Sequence, residues 1–480
     1  MSSKNHPKAV SPSRLTKFRL FLLYSFPVVL FCSYFPLIPI VSTASTNYEL
    51  SLPLIWLFLF SVLSLKDFCK YIYNIRKSPF PLLFLLFPTY LTLSAFWSTN
   101  PLRAVLTAGI LWCLIITGVT TLATFRQQKL LDSRRFLKIF FFATTAFCTL
   151  CWLQSILDIF GVNRGITLLC SGCTSRMFGF PHPSGLAIEP QFMGNLLLAP
   201  TLTAIYLWLQ PKPGKSPVFS RKALLLFAFL FSSNLFLTFS RGAIYSFALG
   251  LVFLTILNLI KFHSRRILLA IPLLAASAVF VIFSQGLFSA LSYTNSTFVE
   301  GIEKSVSQMT LGQINLTLAP KIDLPATDQP APTEPATPVF SGYVEESTDA
   351  RMNFNRIALE LAPKTPATLL FGYGLGSAGE IMYQAGKTTT PFEIVQNEYL
   401  SLLLETGIVG LLLAAFFFTF LLSLLKKLAR PERFLLEAII VSFLFSLLFF
   451  SGLPNALHLY LFPVFLAIAL PALPSASNKS

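Results

Sequence analysis

The chain has 480 residues, of which 54% are hydrophobic and 12% are charged, and it contains 50 Phe. Soluble domains carry roughly 25% charged residues, so this composition excludes an ordinary soluble protein and predicts an all-α polytopic membrane protein. The formal net charge is +16. The Lys and Arg residues stand in short clusters between apolar segments, which indicates orientation in a membrane rather than binding to nucleic acid.

Twelve apolar segments in chain order have spanning or near-spanning length. They are 20–41, 50–65, 80–97, 104–124, 139–160, 192–209, 223–239, 243–260, 267–290, 398–424, 435–451 and 457–472. The short loops at alternate ends are basic, which places the tails 1–19 and 473–480 in the cytoplasm. The first segment has no clear small-residue cleavage site, so we expect no cleaved signal peptide.

Two outer connections are long, 161–191 and 291–397, and loops of such length are usually functional or disordered. Proline recurs among Ala and Thr in 319–339, which predicts a flexible or polyproline-like insert. The domain organisation is therefore nine spans over 20–290, the long loop 291–397, and three spans over 398–472.

Two short helices are predicted beside this insert. Before it, apolar residues at helical spacing predict a helix lying on the membrane surface; they are Phe298, Ile302, Val306 and Met309. After it, four residues mark one face of a short helix that ends near Pro363; they are Phe354, Ile357, Ala358 and Leu361.

Arg241 stands between two apolar segments that leave almost no loop, so its guanidinium is predicted near the outer boundary. A charge at this depth is a functional hypothesis by default. The alternative is that Arg241 extends to lipid phosphate and only fixes the hairpin.

Arg351 and Arg356 are also candidates for ligand binding, but on one helix they point about 140° apart. Arg356 has Glu360 one turn on, and a solvated ion pair would explain it. Arg351 has no acidic residue at that spacing, so it is favoured for ligand binding. With Arg176 from the loop 161–191, Arg241 and Arg351 suggest a site for a diphosphate or another anionic group; three separate lipid contacts are the alternative.

The start of segment 398–424 carries further polar candidates. Asn397 can cap the helix, and Glu398 suits the positive end of its dipole. Gln396 and Glu398 are alternatively substrate contacts. Glu405, one heptad after Glu398, is expected to point the same way, and a carboxylate inside an apolar run needs a partner or a proton.

Other motifs are less specific. The glycines of Gly372–Gly376 lack the strand–turn–helix context of a nucleotide loop, and either approach to a ligand or a tight turn explains them. The Cys170–Cys173 pair is a weak zinc motif, and a local disulfide is the alternative. His182 is a minor catalytic candidate. Cys32, Cys113, Cys148 and Cys151 are expected to be small buried hydrophobic residues.

In five places the chain resembles the O-antigen ligase and polymerase superfamily of bacterial inner-membrane glycosyltransferases. The similar segments are Ser94–Ala104, Arg176–Phe180 with Glu189–Pro190, Ser240–Gly242, Arg351–Gly376, and Asn397–Leu400 with Glu405–Leu411. The order and spacing of these motifs carry the resemblance, which covers residues 90 to about 425.

The resemblance implies a GT-C-like fold and transfer of a glycan from undecaprenyl diphosphate to an acceptor hydroxyl at the periplasmic face of the inner membrane. The acceptor would be lipid A–core, another lipid-linked unit or a protein. It implies that Arg176, Arg241 and Arg351 hold the diphosphate, and it implies no metal or nucleotide cofactor.

The resemblance fails at one position, because the ligases have a His immediately before the Asn that corresponds to Asn397. This chain has Gln396 there, and an amide cannot act as a general base. Glu189 or Glu398 is the substitute base in this hypothesis. A polymerase or a ligase with another acceptor is therefore favoured, and a transporter of the lipid-linked glycan or an inactive scaffold is the alternative.

Overall fold

The computed structural model describes the chain over part of its length. The described residues are 14–32, 37–42, 47–75, 83–122, 131–161, 176–177, 180–181, 183–187, 190–210, 218–262, 265–292, 296–310, 314, 316, 340–391, 393–425, 430–450 and 457–469. Over these residues the protein is helical, with two short antiparallel hairpins. The proline-rich insert 319–339 lies outside them.

The helices, in chain order, are α1 (Arg14–Phe31), α2 (Leu52–Ile75), α3 (Leu86–Leu93), α4 (Pro101–Thr120), α5 (Ser133–Ile159), α6 (Pro190–Leu209), α7 (Arg221–Leu237), α8 (Arg241–Phe262), α9 (Ala270–Leu291), α10 (Phe298–Met309), α11 (Phe340–Leu361), α12 (Pro366–Phe371), α13 (Ala378–Gln384), α14 (Glu398–Leu425), α15 (Arg430–Ser446) and α16 (Leu457–Ala469). Short 3-10 helices cover Leu83–Leu85, Ser94–Phe96, Arg265–Leu269 and Ala362–Lys364. The strands are β1 (Leu37–Ser42), β2 (Asn47–Ser51), β3 (Arg176–Met177) and β4 (Phe180–Pro181).

Each of the twelve predicted apolar segments coincides with helix for most of its length. Seven helices in the described part of the chain are long and apolar enough to cross a membrane, namely α2, α4, α5, α6, α8, α9 and α14. The chain is therefore a polytopic membrane protein. The other five segments form α1, α3, α7, α15 and α16, which are shorter or more charged, and their crossings stay a prediction.

The first predicted segment, 20–41, is wrong at its outer end. Helix α1 ends at Phe31, and Leu37–Ser42 is a strand that pairs with Asn47–Ser51. Proline cannot donate to a helix, and β-branched residues favour an extended chain. Pro39, Ile38 and Val41 therefore oppose a continued helix, and the ladder is irregular between Pro39 and Val41.

Local sequence fixes where several helices begin. Asn100 accepts a hydrogen bond from the Arg103 amide at 3.2 Å, just before Pro101 at the first position of α4. Asp132 caps α5 and Ser220 caps α7 in the same way. Such caps satisfy amides that have no partner within the helix.

The core lies around α6, the most deeply buried of the long apolar helices, with 83% of its apolar window inside the protein. Aromatic rings fill the space beside it: Phe26 stacks on Phe465 with ring centroids 4.2 Å apart, and Phe140 meets Phe462 edge to face. Because lipid is as apolar as these side chains, close packing rather than the hydrophobic effect holds such helices together. Cys148 and Cys151 are fully buried in this core, as predicted, whereas Cys32 and Cys113 are half-buried.

Helix α10 covers Phe298–Met309 as predicted, and its position on a membrane surface stays a prediction. It folds back along α9, and its buried residues are Gly301, Ser305, Ser307 and Gln308. A Cβ on Gly301 would lie 2.5 Å from Ser289 Oγ of α9. Small residues permit this close approach, and apolar residues of α10 contact α9 too, since a Cβ on Gly286 would meet Phe298 and Ile302 at 2.9 and 3.0 Å.

Helices α11 to α13 form a small cluster on the side that the sequence predicts to be outer. The predicted face of α11 is confirmed, since Ile357, Ala358 and Leu361 are buried together with Met382 and Leu404. Helix α11 ends at Leu361, two residues before Pro363. This cluster brings the end of the long loop onto the first half of α14.

Candidate functional site

A kink at Gly407 divides α14 into two parts. Gly407 has φ 66° and ψ −168°, which is not helical. We call Glu398–Thr406 the outer segment and Ile408–Leu425 the spanning segment. Leu404 of the outer segment is buried against α11 to α13, whereas Ala414 and Phe417 of the spanning segment belong to the main core. The polar candidates at 396–398 therefore stand at the end of a separate short helix.

The predicted glycine motif, Gly372–Gly376, packs against this kink. A Cβ on Gly372 would lie 2.3 Å from the Glu405 carbonyl, and a Cβ on Gly407 would lie 2.3 Å from the Leu370 carbonyl oxygen. The amides of Tyr373 and Gly374 donate to the carbonyls of Leu404 and Glu405 at 3.0 and 2.7 Å. The glycines thus let two backbones meet, and their role in the described structure is structural. We call this contact the glycine junction.

Glu405 is buried in the glycine junction. Its carboxylate accepts a hydrogen bond from the Ala378 amide at 3.2 Å, the Gly376 amide is a second donor, and Arg103 of α4 lies in electrostatic range. Glu398 instead lies in electrostatic range of Tyr460 on α16. The two carboxylates therefore have different neighbours, and the expectation that they point the same way stays a prediction.

The Ser94–Ala104 motif closes the junction from the other side. Ser98 Oγ donates to the Leu375 carbonyl at 2.8 Å, and the Leu375 amide donates to Ser94 Oγ at 3.2 Å. Tyr90 of α3 donates to the Thr406 carbonyl at 2.8 Å. Three motifs that are far apart in sequence thus form one hydrogen-bonded unit.

A second group of polar residues lies at the first turn of the outer segment and at the adjoining start of α8. We call it the mouth; its residues are Arg241, Arg351, Gln396, Asn397 and Glu398. Asn397 caps the helix as predicted, its side-chain oxygen accepting from the amides of Tyr399 and Leu400 at 3.1 and 3.2 Å. Glu398 is buried, and its amide donates to the Leu447 carbonyl at 2.8 Å. The mouth is therefore fixed to the end of α15.

Arg351 and Gln396 are in direct contact in the mouth. Arg351 Nε donates to Gln396 Oε1 at 2.7 Å, and both side chains are partly exposed. Because a guanidinium can only donate, the amide oxygen of Gln396 must face Arg351. The bond fixes the plane of the guanidinium at the N-terminus of α14.

Arg241 is the first residue of α8, directly after the tight turn that the sequence predicted. Phe239 in this turn has φ 46°, a left-handed conformation that non-glycine residues seldom adopt. The next residue, Gly242, packs on Phe449, for a Cβ there would lie 2.8 Å from Phe449 Cβ. Gln191 of α6 donates to the Phe449 carbonyl at 2.7 Å.

Three helix N-termini therefore meet around the outer end of α15: those of α6, α8 and α14. Gln191 and Gly242 contact Phe449, and the Glu398 amide contacts Leu447. Each N-terminus carries a partial positive charge, although the first amides of α14 already bond the Leu447 carbonyl and Asn397. With Arg241 and Arg351 at two of them, the arrangement suits a bound anion.

The hairpin between α7 and α8 lies below the outer end of α9. Leu237 and Phe239 pack with Val281, which is in the middle of α9, and Met309 of α10 lies against the same cluster. Helix α9 continues for about 15 Å beyond Val281. The α9–α10 pair thus packs beside the hairpin that carries Arg241 and extends past it.

Arg356 lies away from Gln396. It is exposed and donates to Asn353 at 3.1 Å, whereas Glu360 pairs with Lys387 at 2.8 Å. The predicted ion pair of Arg356 with Glu360 is thus replaced by the Lys387 contact, which lowers the pKa of the Glu360 carboxyl, with a smaller contribution from Arg356. Arg356 is not part of the contact that joins Arg351 to Gln396.

Several predicted residues lie outside the described part of the chain: Cys170, Cys173, His182 and Glu189. Of Arg176 only the backbone is described, in strand β3. The sequence pattern indicates neither Tyr90 nor Gln191, and it predicts no role for Tyr399, which belongs to the motif at the start of segment 398–424. The hydroxyl of Tyr399 donates to the Leu444 carbonyl at 2.7 Å, and an aromatic hydroxyl beside the Asn397 cap was the available signal.

Comparison with known families bears on the segment that holds both the mouth and most of the glycine junction. Residues 226–415 match the family model described as O-antigen ligase. This segment is an O-antigen ligase domain. It runs from α7 into the spanning segment of α14 and includes Arg241, Arg351, Gln396, Glu398 and Glu405. Membership of this domain family implies an enzyme that transfers glycans. No curated protein matches the chain.

Proposed function

We propose that the protein moves a glycan from undecaprenyl diphosphate to an acceptor hydroxyl at the periplasmic face of the inner membrane. The acceptor would be a lipid-linked sugar, lipid A–core or another hydroxyl. The observation that carries the proposal is the Arg351–Gln396 contact at a helix N-terminus within an O-antigen ligase domain. The composition and orientation of the spans favour the outer side for this chemistry.

The anionic part of the donor would bind at the three N-termini. Arg241 and Arg351 supply full charges, and the helix ends add partial positive charge. Guanidinium groups match the paired oxygens of a phosphate. Arg176 is a third phosphate contact in this proposal. Arg356, which bonds Asn353, is a peripheral one.

The reaction would proceed by attack of the acceptor oxygen on the anomeric carbon of the glycan. A carbon–oxygen bond forms there as the bond to the diphosphate oxygen breaks, and the electron pair leaves with the diphosphate. Positive groups around that leaving oxygen stabilise the charge as it develops. The hydroxyl proton passes to a carboxylate base.

Glu398 is the favoured base, with Glu189 as the second choice. Glu398 is buried, and it follows the Asn397 cap by one residue and Gln396 by two. Gln396 holds Arg351 and does not take the proton, since an amide has no basic lone pair of use at neutral pH. The ligases have a His where this chain has Gln396. A ligase with another acceptor, or a polymerase, is consistent with this difference.

The test uses purified full-length protein in proteoliposomes with a synthetic polyprenyl-diphosphate-linked glycan. The proposal predicts transfer of the glycan to an acceptor without flux of the lipid across the bilayer. Flux without transfer would establish a transporter instead. Neither activity, with binding of the lipid retained, would favour an inactive scaffold in polysaccharide assembly.

A further inference from the structure

The outer end of the spanning segment is surrounded by apolar side chains that the described protein leaves partly or largely exposed. They are Phe96, Trp97, Leu370, Phe371 and Ile408, and Phe96 is 87% exposed. We call them the interfacial patch. Helix α12 contributes two of them, and none of its six residues is buried. Exposing such side chains to water costs about 25 cal/mol per Å² of apolar surface.

The patch is continuous and is attached to the glycine junction. Tyr90 donates to the Phe371 carbonyl at 3.2 Å, and its ring lies 6.1 Å from that of Trp97. A Cβ on Gly407 would meet the Leu370 carbonyl oxygen at 2.3 Å. The elements that carry the patch, α12, the 3-10 helix before α4 and the start of the spanning segment, therefore adjoin one another.

The depth of the patch follows from the length of the spanning segment. Ile408–Leu425 rises about 27 Å as a helix, close to the roughly 30 Å thickness of a bilayer's hydrocarbon core. The patch lies at the outer end of that segment and adjoins its lipid-facing side chains, such as Leu412. Trp and Tyr concentrate at this depth in membrane proteins.

We propose that α12 is an interfacial anchor whose partner is the outer leaflet of the membrane. Leu370, Phe371, Phe96 and Trp97 insert among lipid headgroups and the first acyl carbons. The anchor holds α11 to α13 on the membrane and so fixes the height of the Arg351 side chain, which α11 carries.

The chain offers a matched control for this proposal. Leu359 of α11 is as exposed as Leu370, at 53% against 44%. Its neighbours Arg356 and Glu360 are charged and exposed, which indicates water rather than lipid at that face. A probe at position 359 therefore reports the same cluster of helices away from the patch.

The test places a fluorescent amino acid at position 370 or 359 by stop-codon suppression in the full-length protein in nanodiscs. Lipids brominated near the headgroup should quench the probe at 370 at least about twofold more than the probe at 359, because bromine quenches on contact. Aqueous iodide should show the opposite order. Correct folding of each variant is checked by its elution as a single species and by unchanged helical content.

Equal quenching at the two positions, or stronger iodide quenching at 370, would overturn the anchor. Quenching of position 370 by lipid only when a polyprenyl diphosphate is present would also overturn it, because the patch would then be a substrate surface. These readouts measure membrane depth and not transfer. The anchor can therefore fail while the proposed enzyme activity stands.

Discussion

The mouth and the glycine junction lie at the two ends of the same short helix, the outer segment of α14, yet they differ in how their polar groups are used. At the junction, polar groups bond within the protein: Glu405 to the Ala378 amide and Tyr90 to the Thr406 carbonyl. At the mouth, Arg351 and Gln396 meet beside three helix N-termini and are partly exposed. Two glutamates one heptad apart thus serve different purposes, one in each region.

The largest expected effect lies in the junction. Gly372→Ala or Gly407→Ala would place a Cβ 2.3 Å from backbone atoms and would also strain a positive φ, so the folded protein should be lost. The measurement is the yield of monodisperse protein in detergent and its thermal unfolding midpoint.

Gly386→Ala is the matched control for these glycine substitutions. Gly386 has a similar φ of 67°, but nothing lies within 4 Å of its Cβ position. The Gly386→Ala substitution should therefore lower the free energy of unfolding only by the backbone strain, about 1–2 kcal/mol. Equal loss in all three variants would show that close approach at the junction is not the reason for the glycines.

Removal of the mouth's charges should leave the fold but abolish the chemistry. Arg241→Ala and Arg351→Ala should each lower kcat/KM for glycan transfer by about a hundredfold or more, because each removes charge that stabilises the leaving diphosphate. Membrane insertion and thermal stability should change little. Arg356→Ala removes a side chain that bonds Asn353 and not Gln396, so it should retain at least about a third of the activity.

A smaller effect is expected from Gln396→Glu. The two side chains have the same shape, and the bond from Arg351 Nε can form with either. The added carboxylate would partly neutralise Arg351, so the KM for the lipid-linked donor should rise about tenfold. Gln384→Glu, at an exposed position of helix α13, makes the same chemical change away from the mouth, where it replaces the bond that Gln384 donates to Glu380 by a repulsion. A similar rise in that variant would show that the charge acts without local contact.

The smallest effect is expected from Tyr90→Phe, which removes one hydroxyl from the junction. Its bonds to the carbonyls of Thr406 and Phe371 would be lost, at a cost of about 1 kcal/mol in unfolding free energy. Transfer should fall no more than about twofold if the mouth keeps its geometry. A large loss of transfer without loss of stability would mean that Tyr90 belongs to the active site.

Hydropathy was sufficient to locate the helices, but it could not locate the breaks in them. Residues 398–424 look like one continuous span, and Gly407 is the one sign of the kink. It is a weak sign, because glycine is common within membrane helices for other reasons. The segment 20–41 was equally apolar, but Pro39 and its β-branched neighbours end it as a strand. Hydrophobicity measures burial in lipid and does not by itself distinguish these backbone shapes.

The contact between Arg351 and Gln396 was also only partly predictable. Each residue was a candidate alone, because Arg351 has no acidic residue one turn on and Gln396 precedes a helix cap. Their meeting depends on the packing of Ile357 and Leu361 against Leu404, which no local pattern reveals. The glycine motif was undecided for the same reason, since contact with a ligand and contact with another backbone require the same residue.

The central claim is that Arg241 and Arg351 together bind the diphosphate of the lipid-linked donor. Its most direct test is equilibrium binding of a polyprenyl diphosphate, and of the corresponding polyprenyl alcohol, to the full-length protein in nanodiscs. The account predicts a preference for the diphosphate that falls at least about tenfold in Arg241→Ala and in Arg351→Ala and persists in Arg356→Ala. The same preference in all four proteins would contradict the account.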